Sequence, residues 1–213
     1  MKSTVLKYGI ISGAIMLGVF TITMAASKMM ADPPDFTTQE VLGYASMIIA
    51  TSVAYFGIKH YRDHDNEGSL SFGQGLKIGL LIVLFPAVLF GVGDVVYITF
   101  IDPDWMDNYY AQYLADMKAD MLADMKETLP AVYDSIVPRG TTVGGTGSQT
   151  WDYSDLPLDV KEAIAKFETK AEEMQAQKEM FASPLFTFFI MFTTVFVIGL
   201  IVSIISSLVL KKG

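Results

Sequence analysis

Four apolar stretches, Tyr8 to Ser27, Val41 to Ile58, Leu76 to Ile101 and Leu185 to Leu210, are each long enough to cross a bilayer. A hydrocarbon core about 30 Å thick takes about 20 apolar residues as helix. A helix satisfies every backbone polar group within one segment, so it can cross without a partner. The expected fold is an all-α integral membrane protein with four transmembrane helices. Between the third and fourth stretches lies a polar insert with 16 Asp and Glu against 7 Lys and Arg, and it carries most of the net charge of −8. The chain therefore divides into residues 1–101, three spans with short connections; 102–184, the acidic insert; and 185–213, the fourth span and a basic C-terminus.

The absence of cysteine removes disulfides, thiolate zinc sites and cysteine nucleophiles. The negative charge argues against a nucleic-acid partner, whose phosphates need Lys and Arg; the bilayer is the partner that composition implies. Lys2 and Lys7 precede the first stretch and Ala25, Ala26 and Ser27 end it, which also admits a secretory signal. Signal cores run about 7 to 15 residues, so the longer run here favours a retained helix.

Basic residues in short flanks set orientation. Lys2 and Lys7 precede the first span, Lys59, Arg62 and Lys77 surround the second connection, and Lys211 and Lys212 follow the last span, whereas Lys28 stands alone in the first connection. The expectation is a multi-pass protein of the cytoplasmic membrane with both termini inside and the insert outside. Asp32, Pro33, Pro34 and Asp35 forbid a continuous helix in the first connection, and Thr37 or Thr38 offers a cap for the second span. Asn66, Glu67 and Gly68 form the second turn, and Ser71 caps the third helix.

Helical periodicity continues into the insert. Tyr109, Tyr110, Tyr113, Met117, Met121, Leu122 and Met125 recur at spacings of three and four. Val160, Ile164, Phe167, Ala171 and Met174 do the same in a second run, started near Asp155 or Asp159. The segment from Pro138 to Gln149 is rich in Gly and Thr and reads as a loop tip. Two helices of about 24 residues would each reach about 36 Å, and matched lengths favour an extracytoplasmic antiparallel hairpin. Tyr109, Tyr113, Met117, Met121, Ile164 and Phe167 are its candidate interaction surface, toward a second copy of the chain or another membrane protein.

Asp94 is the one acid well inside a span, and an acid at mid-helix costs about 2.5 to 3.5 kcal/mol to insert. It is either a proton or cation site or a polar tether to Lys28 or to hydroxyls of Thr21, Thr23 or Thr194. Pro86 removes a backbone bond from the same helix and predicts a kink. Gly9 and Gly13, with Gly73, Gly75, Gly79, Gly91 and Gly93, provide smooth surfaces for close helix packing. Asp116, Asp120 and Asp124 recur in Ala-Asp-Met units; they lack the loop of a calcium site and read as a solvated face. His60 and His64 would share a face if the second helix reached them, without a defined third ligand for a metal. No catalytic triad, phosphate loop or nucleotide fingerprint is present, so neither an enzyme nor a cofactor is expected.

The runs Phe56-Gly57-Ile58-Lys59-His60-Tyr61-Arg62-Asp63, Ser71-Phe72-Gly73-Gln74-Gly75-Leu76-Lys77-Ile78-Gly79, Phe100-Ile101-Asp102-Pro103-Asp104 and Ile198-Gly199-Leu200-Ile201-Val202-Ser203 resemble the family of small four-span bacterial membrane proteins known as domain of unknown function 4199. The resemblance extends over nearly the whole chain. It implies a bacterial cytoplasmic membrane and the same four-span layout, and it implies no activity. Two functional expectations follow: a non-enzymatic protein whose outer hairpin makes homotypic or partner contacts, and a small transporter or transporter subunit using Asp94 in the kinked third span.

Overall fold

The computed structural model describes residues 1–29, 36–128, 130, 133 and 157–212, side chains at 27, 28, 36 and 37 excepted. The turn expected at Asp32 to Asp35, the cap at Thr37, the tip from Pro138 to Gln149 and the cap at Asp155 lie outside the described residues. Seven α-helices carry the described chain: α1 (Lys2–Met29), α2 (Phe36–Thr51), α3 (Val53–His60), α4 (Phe72–Val96), α5 (Trp105–Thr128), α6 (Leu158–Phe181) and α7 (Pro184–Leu210). Four helical spans, Lys2–Ala26, Thr38–Asp65, Phe72–Ile101 and Pro184–Leu210, are long and apolar enough to cross a membrane. The chain forms two compact units, one of residues 1–101 with 184–213 and one of residues 102–183.

The second span departs from a single helix. It breaks between α2 and α3 at Ser52, and both hydroxyls at the break turn back on their own helix: Thr51 Oγ1 donates to Met47 O at 2.8 Å and Ser52 Oγ to Ile48 O at 2.7 Å. Such back-bonding competes with the backbone ladder and bends helices. The span then runs beyond Ile58 into a π-helical turn, Tyr61–Asp65. A second π turn, Tyr97–Ile101, ends the third span.

Ser71 caps α4 through a reciprocal pair: Gln74 N donates to Ser71 Oγ at 3.3 Å and Ser71 N donates to Gln74 Oε1 at 3.1 Å. That is the capping box, which satisfies two orphan donors at a helix start. The preceding turn needs positive φ at Glu67 and Gly68, 51° and 81°. α7 opens on Pro184, whose fixed φ suits a first helical position. α6 instead starts after Pro157 with no side-chain cap, and Asp159 lies in its first turn.

α4 is the centre of the membrane unit and packs on α7, α1 and α3. Its contact with α7 is an antiparallel zipper of small residues. A Cβ at Gly75 would stand 2.8 Å from Ser207 Oγ, one at Gly79 would stand 2.6 Å from Ser203 Oγ, and one at Gly199 would collide with Val83. Each four-residue step along α4 thus meets a four-residue step back along α7, and the backbones approach as small residues allow. Ser203 and Ser207 donate to Gly199 O and Ser203 O within their own helix, at 2.7 and 2.6 Å, so neither of these buried hydroxyls is orphaned.

Two apolar clusters fill the remaining space. One joins Ala54, Ile58, Leu70, Ile78, Ile82, Val83 and Leu210; the other joins Met16, Ala50, Ala87, Phe90 and Val195. Met16 is a fully buried member of the second, and Ser12 on α1 donates to Ala50 O at 2.6 Å. Gly9 and Gly13 face Phe85 and Leu89 of α4. α1 is therefore a wall of the core.

In the other unit, α5 and α6 pack on each other through Leu122, Met125, Val160 and Ile164. At the opposite end Lys178 Nζ stands 2.7 Å from Asp107 Oδ1. The start of α5 thus meets the end of α6, so the two helices run antiparallel.

Candidate functional site

Asp94 lies in the last turn of α4. Phe90, Asp94 and Tyr97 recur at helical spacing and share a face. Phe20 of α1 rests edge-on against both rings, 5.5 Å from Phe90 and 5.8 Å from Tyr97. Asp94 shares the face of those two rings and is half-buried. Among the described residues it has no hydrogen-bond or ion-pair partner. The π turn Tyr97–Ile101 begins three residues later, and such turns recur at functional sites.

The tethers expected for Asp94 divide. Thr21 Oγ1 donates to Leu17 O at 2.8 Å and Thr194 Oγ1 to Ile190 O at 2.9 Å, so each hydroxyl proton is used within its own helix. Lys28 is in the last turn of α1, and its side chain lies outside the described residues. Pro86 is buried, and α4 runs through it as one helix. Gly93 approaches Leu17, and Gly73 has open space around it, so it is not a packing glycine.

The histidines do share a face. The π turn carries the second span past them, and their rings stack at 4.5 Å with planes 16° apart. Tyr8 leans on His60 at 5.6 Å. Among the described residues no group of three His, Cys, Asp or Glu is placed to hold a metal. Asp116, Asp120 and Asp124 are exposed on α5.

The six candidate interaction residues fall in two classes. Ile164 is buried in the α5/α6 core, whereas Tyr109, Tyr113, Met117, Met121 and Phe167 are half-buried beside it. Trp105 and Tyr109 stack at 5.0 Å, and Tyr110 meets Tyr109 edge-on at 5.4 Å. Burial pushes the Tyr110 phenol above its ordinary range. Sequence reasoning missed the α4/α7 zipper, although Gly199, Ser203 and Ser207 recur at intervals of four.

Four apolar helices around a glycine-lined α4 define a multi-pass α-helical membrane protein. Residues 7–137 match the family model Protein of unknown function (DUF4199), and the chain belongs to that family. The match includes most of the first span, the second and third spans and all of α5, and it ends short of the resembling run Ile198 to Ser203 in the fourth span. No curated protein and no solved structure matches the chain.

Proposed function

We propose that this is a non-enzymatic protein of the bacterial inner membrane whose four spans anchor an α5/α6 helical hairpin on the outer face, where the hairpin meets a second copy or another membrane protein. The observation that carries this is the division of labour within the pair. Leu122, Met125, Val160 and Ile164 give it a core of its own, while Tyr109, Tyr113, Met117, Met121 and Phe167 stay half-covered along its flanks. Tyr and Met are residues that interfaces favour. The orientation rests on seven Lys and Arg at one end of the spans against Lys28 at the other.

A photocrosslinker at Tyr113 or Met117, used in intact membranes, is expected to give one discrete adduct. Monomer alone at both positions overturns the interaction. A reporter fused at Gly145 is expected to be active outside the cytoplasm, and cytoplasmic activity overturns the orientation.

The half-buried Asp94, without a partner among the described residues, favours a second reading: a proton or cation site within a small transporter or transporter subunit. An intramembrane acid is costly and normally faces a partner or a wet cavity. Vesicles reconstituted with the full chain should then show proton or monovalent-cation flux that Asp94→Asn abolishes. Absence of flux in the parent, or equal flux in the variant, removes the reading.

A further inference from the structure

One end of the membrane unit gathers the start of α1, the π turn Tyr61–Asp65, the connection to α4 and the end of α7. The sequence places Lys2, Lys7, Lys59, Arg62, Lys77, Lys211 and Lys212 there, with Asp63, Asp65 and Glu67 as the nearby acids. Two of those acids are held internally. Asp63 Oδ1 accepts from Arg62 Nε at 2.6 Å; Asp65 Oδ2 accepts from the Met1 amine at 3.2 Å and from the Thr4 hydroxyl. Among the described residues, Lys2, Lys77, Lys211 and Lys212 have no carboxylate within ion-pair distance. Asp63 is thus occupied by its neighbour Arg62 and Asp65 by the start of α1, and the ammonium groups are left over.

Backbone geometry concentrates part of that surplus. Leu70 and Lys212 exchange two hydrogen bonds, 2.8 and 2.9 Å, which tie the end of α7 to the connection before α4. Arg62 Nη1 donates to Leu210 O at 3.4 Å, and Arg62 O accepts from Gly68 N at 2.8 Å. Arg62 is therefore drawn to the same spot as Lys211 and Lys212. Lys211 N is used on Ser207 O at 3.0 Å. With those backbone groups satisfied by one another, what faces outward is two exposed ammonium groups and the remaining guanidinium donors.

We propose that Arg62, Lys211 and Lys212 bind the phosphate headgroup of an anionic phospholipid. The ligand chemistry is a phosphate oxyanion, which a guanidinium fork and point-charge ammoniums both suit. A lipid source is assigned because the patch closes the end of helices that cross the bilayer, at headgroup depth, where basic pockets between helices take such lipids.

The full chain is purified in mild detergent and loaded with phosphatidylglycerol or phosphatidylcholine, and retained lipid is counted by native mass spectrometry. Phosphatidylglycerol is expected to be retained preferentially, and 0.5 M NaCl during loading is expected to erase the preference. K211Q/K212Q should lower it by more than tenfold, from about 5-fold per surface cation, while K166Q on α6 should leave it unchanged. Equal retention of the two lipids by the parent overturns the proposal, and so does a K211Q/K212Q preference equal to the parent's. Competition by millimolar inorganic phosphate as strong as that by the lipid assigns the patch to free phosphate and overturns the lipid source. The parent measurements decide the matter even where a variant fails to fold.

Discussion

The two units solve the burial problem in opposite senses. In the membrane unit Ser12, Thr51, Ser203 and Ser207 are wholly buried while large apolar residues face outward: Ile22 is 69% exposed and Val209 67%. In the α5/α6 unit Leu122, Met125, Val160 and Ile164 are inside, and Asp116, Asp120 and Asp124 are outside. Lipid tails are as apolar as leucine, so packing between spans comes from close approach and internally satisfied hydroxyls rather than from hiding hydrocarbon. Water drives the second unit by the ordinary hydrophobic effect. One chain therefore carries two different rules for which residues matter.

The largest expected effect tests the first rule. A side chain at Gly199 meets Val83, which is itself fully buried against α4's neighbours. Gly199→Leu should cost about 3 kcal/mol or more, the upper range for overpacking, and should abolish a folded yield in mild detergent. A Cβ at Gly18, by contrast, would meet nothing within 4 Å. Gly18→Leu should accordingly leave the melting temperature close to that of the parent, and a loss as severe as at Gly199 would show that packing is not what selects these glycines.

The second rule is tested at Leu122, buried in the α5/α6 core. Leu122→Ala should cost the unit about 2 to 3 kcal/mol, the low part of the range for buried Leu, because a two-helix core collapses easily. Limited proteolysis should then cut within 102–183 at lower protease while the spans stay intact. Simultaneous loss of the spans would mean that the two units fold as one.

Much of this contrast was readable from residues, and some was not. The spans follow from apolar length and the α4 cap from Ser71, while the reciprocal bond from Gln74 appears only in the structure. The break at Ser52 was not foreseen, because no Pro or Gly marks it; two hydroxyls turned onto their own helix produce it. The zipper was half visible. Gly75 and Gly79 stood out, but Ser203 and Ser207 are polar, and polarity in an apolar run distracts from their small size. Asp94 is evident as an intramembrane acid, whereas its lack of a partner among the described residues reflects in part where Thr21 and Thr194 direct their protons. In the insert, the stripe was evident, but which of its members are central depends on the register of α5 against α6. That register buries Ile164 and leaves Phe167 at the margin.

Smaller effects sharpen the comparison by their response to salt. Ser12→Ala removes the hydrogen bond to Ala50 O between α1 and α2, and interhelical bonds in membranes average about 0.6 kcal/mol. The loss should appear as a modest fall in thermal stability that is the same at low and high ionic strength, since the bond is buried. A loss that salt relieves would place Ser12 in a wet environment and undo its assignment to the bundle interior.

Lys178 and Asp107 give the opposite expectation. Their contact is short, 2.7 Å, but both side chains reach solvent, at 32% and 62% exposure. Exposed pairs contribute about 0.2 to 1 kcal/mol, so Lys178→Gln should weaken the α5/α6 unit by no more than about 0.5 kcal/mol. The difference from the parent should vanish in 0.5 M NaCl, where screening acts within a few ångströms. Asp107→Asn should match it, and the double variant should lose no more than either single, because both remove one interaction. Full additivity of the two losses, measured by proteolysis of the unit at low salt, would show that each residue acts on its own and that the antiparallel pair is closed by the apolar core alone.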